Sequence, residues 1–272
     1  MKATGAADAI VEFFNRRAVD YDQEYAAETT AGFALRVRRQ KVLALFDRPG
    51  GDVLDVGCGP GVMAGEMAAR GCRFWGVDPS ASMLAIAESR HAGSEGIHFV
   101  KGDAGHLDFP DGSFDAVLCT GVIDSVPDAG AAVAEMLRVL KPGGTLVFTV
   151  TNLLGPYAWW KNYVFYPLIE MWHRLLPGRR TAGHTAQRRR SGGLRTLFTR
   201  HGAQRLVQPA GEVVSIVPYS FNLFISPLDE IFPRTALRVM ERMERRGHPE
   251  WLAAGWILQA RKHGASTSDR RR

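Results

Sequence analysis

The chain has 272 residues, 46% of them hydrophobic, enough to bury a sizeable core in one large domain or two small ones. Its formal charge of +6 suits nucleic acid or an anionic membrane surface, but the excess is uneven, with Arg179, Arg180 and Arg188–Arg190 in one cluster and Arg270–Arg272 at the end. Three scattered cysteines (Cys58, Cys72, Cys119) exclude a disulfide framework and a C-x-x-C metal site and fit a reduced, cytoplasmic setting, while no apolar run is long enough to span a bilayer and the N-terminus lacks a signal-peptide core.

In chain order, residues 5–17 read as a helix with Ile10, Val11, Phe13 and Phe14 on one side, followed by the tyrosine-rich segment 18–25. Residues 31–46 read as a second helix, leading through Arg48-Pro49-Gly50-Gly51 into a first strand. That strand carries Val53, Leu54 and Val56, the apolar run of a parallel strand covered on both faces. It ends in Gly57-Cys58-Gly59-Pro60-Gly61, and a helix is expected over Val62 to Ala69. A strand, glycine loop and helix in this order bind a nucleotide-like ligand at the carboxyl edge of a sheet. The G-x-G-x-G spacing departs from the dinucleotide fingerprint G-x-G-x-x-G. Asp55, just before the loop, would repel a pyrophosphate but suits an ammonium or sulfonium. Asp78 lies 21 positions after Gly57, where a second strand presents a carboxylate to ribose hydroxyls.

A helix capped by Ser80 is expected to run to about His91. A third strand, 97–101, leads into Gly102-Asp103-Ala104. After the turn at 109–113 come a fourth strand (114–119), a loop (120–128), a helix (129–140) with Val133, Met136, Leu137 and Leu140 as its core stripe, a turn at 141–144, and a fifth strand (145–150).

Four motifs, VLDVGCGPG, GVDPS, GDAGHLDFPDGSFDAVLC and LRVLKPGGTLVFTV, resemble in order and spacing those of class I S-adenosylmethionine (SAM)-dependent methyltransferases. They cover about 53–150, and the flanks resemble the small-molecule branch more loosely. The resemblance implies an α/β, Rossmann-like, seven-stranded, mostly parallel sheet with helices on both faces and an aromatic lid after the fifth strand. It implies SAM as cofactor and S-adenosylhomocysteine as product. The cofactor contacts it implies are Tyr21, Asp55, Gly57, Gly59, Gly61, Asp78, Pro79, Met83, Asp103, Ala104, Thr120 and Gly121. Asp103 would accept from the adenine amino group, since a carboxylate is purely an acceptor. For Tyr21 the alternative is simple packing on the sheet.

The aromatic stretch Gly155 to Pro177 is read first as a substrate lid, second as a membrane-interface segment aided by the arginines at 179–190, and third as a dimer contact. His184 fits the connector histidine that reaches the active site in small-molecule relatives. A helix at 194–200, a sixth strand at 204–217 bent at Gly211, a pocket wall at 218–233 (Phe221, Phe224, Phe232), a helix at 235–246 and an antiparallel last strand at 255–261 complete the reading. The domains expected are a helical cover (1–47), a methyltransferase domain (48–262) with insertions at about 153–190 and 218–250, and a disordered tail (263–272).

The implied chemistry is in-line displacement of the SAM methyl group. His184 is the candidate base, with Asp124 as a second catalytic candidate and His106 as an outlying one; a pocket-shaping role for His184 and a loop-holding role for Asp124 are the alternatives. No metal is expected. Cys119 lacks a Pro-Cys context and reads as a buried small hydrophobe. The leading function is methyl transfer, foremost to oxygen, onto a hydrophobic small molecule such as a natural product, quinone, isoprenoid or lipid. The alternatives are an RNA or protein methyltransferase and a non-catalytic SAM-binding protein docked on a membrane or partner. Peripheral membrane contact at the inner face and the oligomeric state stay open, and nucleic acid is disfavoured.

Overall fold

A computed structural model describes residues 2–46, 50–155, 159–165, 167–168, 171, 196–208, 210–221, 231–247 and 249–264. The chain begins with helices α1 (Lys2–Glu24) and α2 (Thr30–Ala44). Strand β1 (Asp52–Val56), helix α3 (Ala64–Ala69), strand β2 (Arg73–Asp78), helix α4 (Ala81–Arg90) and strand β3 (Ile97–Lys101) follow. Then come β4 (Phe114–Cys119), α5 (Ala129–Val139), β5 (Leu140–Thr151), α6 (Arg200–Val207), β6 (Gly211–Phe221), α7 (Pro233–Arg246) and β7 (Ala253–Lys262).

The seven strands form one sheet in the order β3-β2-β1-β4-β5-β7-β6. β3 through β5 run parallel, and β7 is antiparallel to both β5 and β6. The chain winds outward from β1 through β2 to β3, then returns to place β4 on the other side of β1. That reversal opens a crevice at the carboxyl ends of β1 and β4.

The strands are apolar on both faces because helices cover both. Leu54, Val117, Phe148 and Leu258 pack with Val133, Met136 and Leu137 of α5 and Ala203 and Val207 of α6. The alternate residues Val53, Leu118, Val147 and Ile257 pack with Val42 and Leu43 of α2 and Met67 of α3. Successive side chains of a strand point to opposite faces, so one sequence run feeds two core layers. Each fully buried Leu or Phe contributes about 1.5–3 kcal/mol. Asp128 caps α5 by accepting from Ala131 N at 2.9 Å, and Ser80 caps α4 by accepting from Met83 N at 3.2 Å.

Several element bounds differ from expectation. Tyr21 continues helix α1, which runs unbroken to Glu24, so 18–25 is mostly helix. Helix α3 starts at Ala64, after the turn Val62-Met63. The helix expected at 194–200 lies at Arg200–Val207: Thr199 is its cap, accepting from Gly202 N at 3.0 Å, so Gly202 sits in the first turn and does not end the helix. β6 consequently begins at Gly211 and takes in Pro218 to Phe221, the first part of the stretch expected as pocket wall. Gly211 marks a close approach, not a bend: a Cβ there would lie 2.7 Å from Arg261 O. β5 already starts at Leu140 and β7 at Ala253.

Within 155–177, Trp159 and Tyr163 are exposed with rings 6.1 Å apart, and a short π-helical turn spans Lys161–Phe165. His184, the arginines at 179–190, Phe224 and the tail 265–272 lie outside the described residues. Among the described residues no helix is long and apolar enough to cross a membrane.

Candidate functional site

The site grows from the end of β1. Gly57 N and Cys58 N donate to Val77 O at 2.7 and 3.1 Å, which folds the glycine loop across the end of β2. Gly57 has φ 73°, and a Cβ there would lie 2.1 Å from Cγ2 of Val122, so glycine is required for both backbone shape and space. The loop is then fixed from β2: Asp78 accepts from Gly59 N at 2.9 Å through one oxygen and from Ser80 N at 2.8 Å through the other. Each carboxylate oxygen retains a further acceptor direction.

Above the loop lies a cleft of about 850 Å³ including its open mouth. Ten of the sequence-derived positions line it: Tyr21, Gly57, Gly59, Asp78, Pro79, Met83, Asp103, Ala104, Thr120 and Gly121. Gly61 does not line it, because a Cβ there would meet Ala87 and Phe99 at 3.0 Å, and its place is the packing of the loop on α4. Asp103 is exposed and shapes its own turn, accepting from Gly105 N at 2.7 Å. Thr149 Oγ1 accepts from Gly121 N at 2.8 Å and so ties the β4 loop to β5.

Asp55 sits behind the loop, 2% exposed, with Oδ1 buried and without a hydrogen-bond partner. Burial pushes its carboxyl up to about 7; the nearby Asp78 charge adds to this and Arg38 opposes it. A buried acceptor of this kind calls for a cationic or donor ligand. Arg38 of α2 supplies the opposite charge. Burial works against its charge, but Tyr21, Tyr25 and Tyr219 beside it hold the guanidinium firmly protonated. Burial, first of all, likewise raises the Tyr25 hydroxyl above the ordinary tyrosine range. A Cβ on Gly121 would lie 2.8 Å from Arg38 Nη1, which sets the guanidinium against the Gly121 turn, behind the residues that line the cleft. Among the described residues no carboxylate stands within ion-pair distance of Arg38.

Helix α1 closes the cleft with Ile10, Val11, Phe14 and Tyr21. Two contacts hold it down. Asn15 Oδ1 accepts from Ser80 Oγ at 2.7 Å and from Ser82 N at 3.3 Å. Arg90 bridges Asp22 of α1 to the carbonyl of Pro60 in the glycine loop.

The catalytic candidates are placed differently. Asp124 is 8% exposed, and both its oxygens accept from Thr151, from the amide at 3.0 Å and from the hydroxyl at 2.5 Å. His106 is largely exposed, 3.6 Å from Asp108, and does not line the cleft. His184 lies outside the described residues. Among them no cluster of His, Cys, Asp or Glu has the makings of a metal site, and all three cysteines are free and buried.

Sequence reasoning missed Arg38, Asn15 and Arg90. Arg38 had one legible signal, lying a turn before the core residue Val42 on α2, where an arginine is out of place unless it serves a site. Asn15 and Arg90 act across 65 and 68 positions, a pairing no local pattern reveals.

Residues 54–148 match the family model described as methyltransferase domain. An "uncharacterized methyltransferase" of Mycobacterium marinum is 42% identical over 109 residues, 40% of this chain and 42% of that protein. A ubiquinone biosynthesis O-methyltransferase of Sodalis glossinidius is 35% identical over 122 residues, 42% of this chain and 48% of its own. The chain thus matches less than half the length of these relatives. Among solved structures, a SAM-dependent methyltransferase of Thermotoga maritima, described as a possible histamine N-methyltransferase, superposes with a TM-score of 0.61 at 20% identity, covering 93% of this chain and 99% of its own. Residues 54–148 thus resemble the methyltransferase-domain family, and the described sheet shares the Rossmann-like fold of that solved structure.

Proposed function

We propose that the chain is a SAM-dependent methyltransferase that methylates a hydrophobic small molecule, foremost at an oxygen. The observation that carries the cofactor reading is Asp55: a buried, partnerless carboxylate oxygen behind a glycine loop, with the Arg38 guanidinium near enough to act on its charge and packed against Gly121 of the cleft. The methionine part of SAM is a zwitterion beside a sulfonium, and these two opposite charges match it. Asp55 takes the ammonium side and Arg38 the carboxylate. Asp78 accepts from the ribose hydroxyls, and Asp103 with the Ala104 amide reads the adenine edge. Phe14, Ile10 and Val126 supply apolar walls for the purine. Bound there, SAM supplies an electrophilic methyl group.

The protein's own task is then to hold an acceptor in line and keep water out. Positioning of this kind is worth about 7–11 kcal/mol of a barrier at best. Thr120 and Gly121, at the carboxyl end of β4, form the edge facing the acceptor. We assign proton removal to His184, whose ordinary pKa near 6.5 suits a general base at neutral pH. Asp124 fits a positioning role, because Thr151 engages both its oxygens and this fixes the 120–128 loop on β5. The hydrophobic acceptor is supported by the aromatic content of the segment after β5 and by the ubiquinone biosynthesis O-methyltransferase among the relatives.

The test is incubation with SAM carrying a labelled methyl group and an extract of apolar metabolites, followed by solvent partition. Label in the organic phase with stoichiometric S-adenosylhomocysteine supports the reading. SAM binding with no transfer to any apolar, RNA or protein fraction contradicts it and favours a binding protein.

A further inference from the structure

Helix α7 packs one side and displays another. Ala236, Met240 and Met243 are buried, with Val239 against Leu252 and Ala253, and Glu244 pairs with Lys41 of α2. On the opposite side Arg234, Arg238, Arg242 and Arg245 stand at i, i+4, i+8 and i+11, one stripe of an α-helix. All four are exposed, as is Arg246 beside them. None is paired with an acid among the described residues, and the one acid on that side is the half-exposed Glu241. A surface helix ordinarily balances signs along such a stripe; this one sets four arginines against one acid, Glu241.

The stripe is bracketed by large apolar side chains turned to solvent. Ile231 and Phe232, 59% and 55% exposed, precede the helix, and Trp251, 58% exposed, follows it. Trp251 lies beside Leu154, 68% exposed, because Asn152 Nδ2 donates to both Trp251 O and Ala253 O, and Leu154 N donates to Asn152 Oδ1. Both residues sit where β5 ends and β7 starts, at the carboxyl edge of the sheet onto which the cleft opens.

We propose that α7 and this apolar rim form a docking surface for an anionic lipid membrane. Arginines attract anionic headgroups, and each charge near such a surface multiplies binding about five-fold. Exposed Trp, Phe and Leu enter the headgroup boundary without crossing the bilayer. A nucleic acid would use the same charges but has no call for aliphatic anchors such as Ile231 and Leu154, and a protein partner would demand acids matched to the stripe. The docked face adjoins the cleft edge, so an apolar acceptor dissolved in the membrane would enter without passing through water. The inference concerns attachment only and does not depend on the methyltransfer reading.

The test is co-sedimentation of the full chain with phosphatidylcholine vesicles and with phosphatidylcholine vesicles containing about a third phosphatidylglycerol, at low, physiological and high salt. Binding is expected only to the anionic vesicles, weakening at least ten-fold from low to high salt. Replacing Arg234, Arg238, Arg242 and Arg245 by Gln, a good helix former, is expected to reduce it on the order of 100-fold. SAM binding and circular dichroism should be unchanged, since none of these residues lines the cleft. Should that variant fold poorly, Arg238→Glu with Arg242→Glu tests the same stripe. Phe232→Ser with Trp251→Ser should weaken binding several-fold while leaving its salt dependence intact. Equal binding to neutral vesicles, no vesicle binding, or undiminished binding of the arginine variants overturns the proposal. So does tighter binding of a short RNA than of anionic vesicles at physiological salt, lost in those variants.

Discussion

Asp78 holds the Gly59 amide at 2.9 Å while its other oxygen accepts from Ser80 N at 2.8 Å. One carboxylate thereby sets the shape of the glycine loop and the start of α4, and it still faces the cleft. Removing it releases the loop and, on the proposed cofactor reading, deletes the ribose acceptor as well. Hydrogen bonds to a charged group are worth about 1.5–3 kcal/mol each. Asp78→Ala should therefore weaken SAM binding by about 10–100-fold, read by equilibrium titration. Asp78→Asn, which keeps one acceptor, should fall between the two.

Asp55 makes the site sensitive to pH. Burial, with help from Asp78, places its native pKa at about 7, above the ordinary carboxylate value. Between about pH 4 and 7 the native protein therefore holds a proton that the unfolded chain has released. This contribution to stability is complete below about pH 4 and is lost as pH rises to 7. Ligand binding carries the opposite sign, because a cation needs the ionised carboxylate. SAM affinity should rise between pH 5.5 and 7, approaching ten-fold per unit at the acid end. Asp55→Asn should bind more weakly and lose most of that slope.

The motifs were legible because a glycine loop, a strand-end carboxylate at fixed distance and apolar strands are local patterns. Gly57, Asp55 and Asp78 come together on adjacent parallel strands, as their spacing implied. Arg38 was hidden because its partners, Tyr21, Tyr25 and Tyr219, come from the N-terminal helix and its end, and from the sixth strand. The bounds of α6 are hidden by its glycine: Gly202 has the look of a terminator, but Thr199 caps the helix by accepting from its amide. The start of β6 is obscured for the same reason, since Leu206 and Val207 fit a strand pattern as well as a helix face.

The cover α1 is latched at two places, Asn15 to Ser80 and Asp22 to Arg90. Neither Asn15 nor Arg90 lines the cleft, so on the proposed cofactor reading the latches should act on entry and exit. Asn15→Ala should speed dissociation of S-adenosylhomocysteine several-fold in stopped-flow displacement, with a change in thermal stability of about 1 kcal/mol, the worth of a typical hydrogen bond. Arg90→Ala should do more, because it also frees the Pro60 carbonyl.

Gly57 cannot carry a side chain. Its positive φ costs an L-residue about 1–2 kcal/mol, and a Cβ would meet Val122 at 2.1 Å, an overpacking worth about 1–3 kcal/mol. Gly57→Ala should destabilise the fold by about 2–5 kcal/mol in urea unfolding. Adding Val122→Ala should recover only the packing share, which separates backbone strain from collision.

Isothermal titration of SAM into the purified chain, alongside Asp55→Asn and Arg38→Gln, bears on the whole scheme. One SAM per chain is expected, with dissociation in the micromolar range or tighter. Each variant should bind on the order of 10–100-fold more weakly, as loss of one charged contact implies. Failure of the unaltered chain to bind SAM at millimolar concentration, or variants that bind as tightly as the parent, would contradict the assignment of the buried carboxylate and the arginine to the two ends of the methionine group.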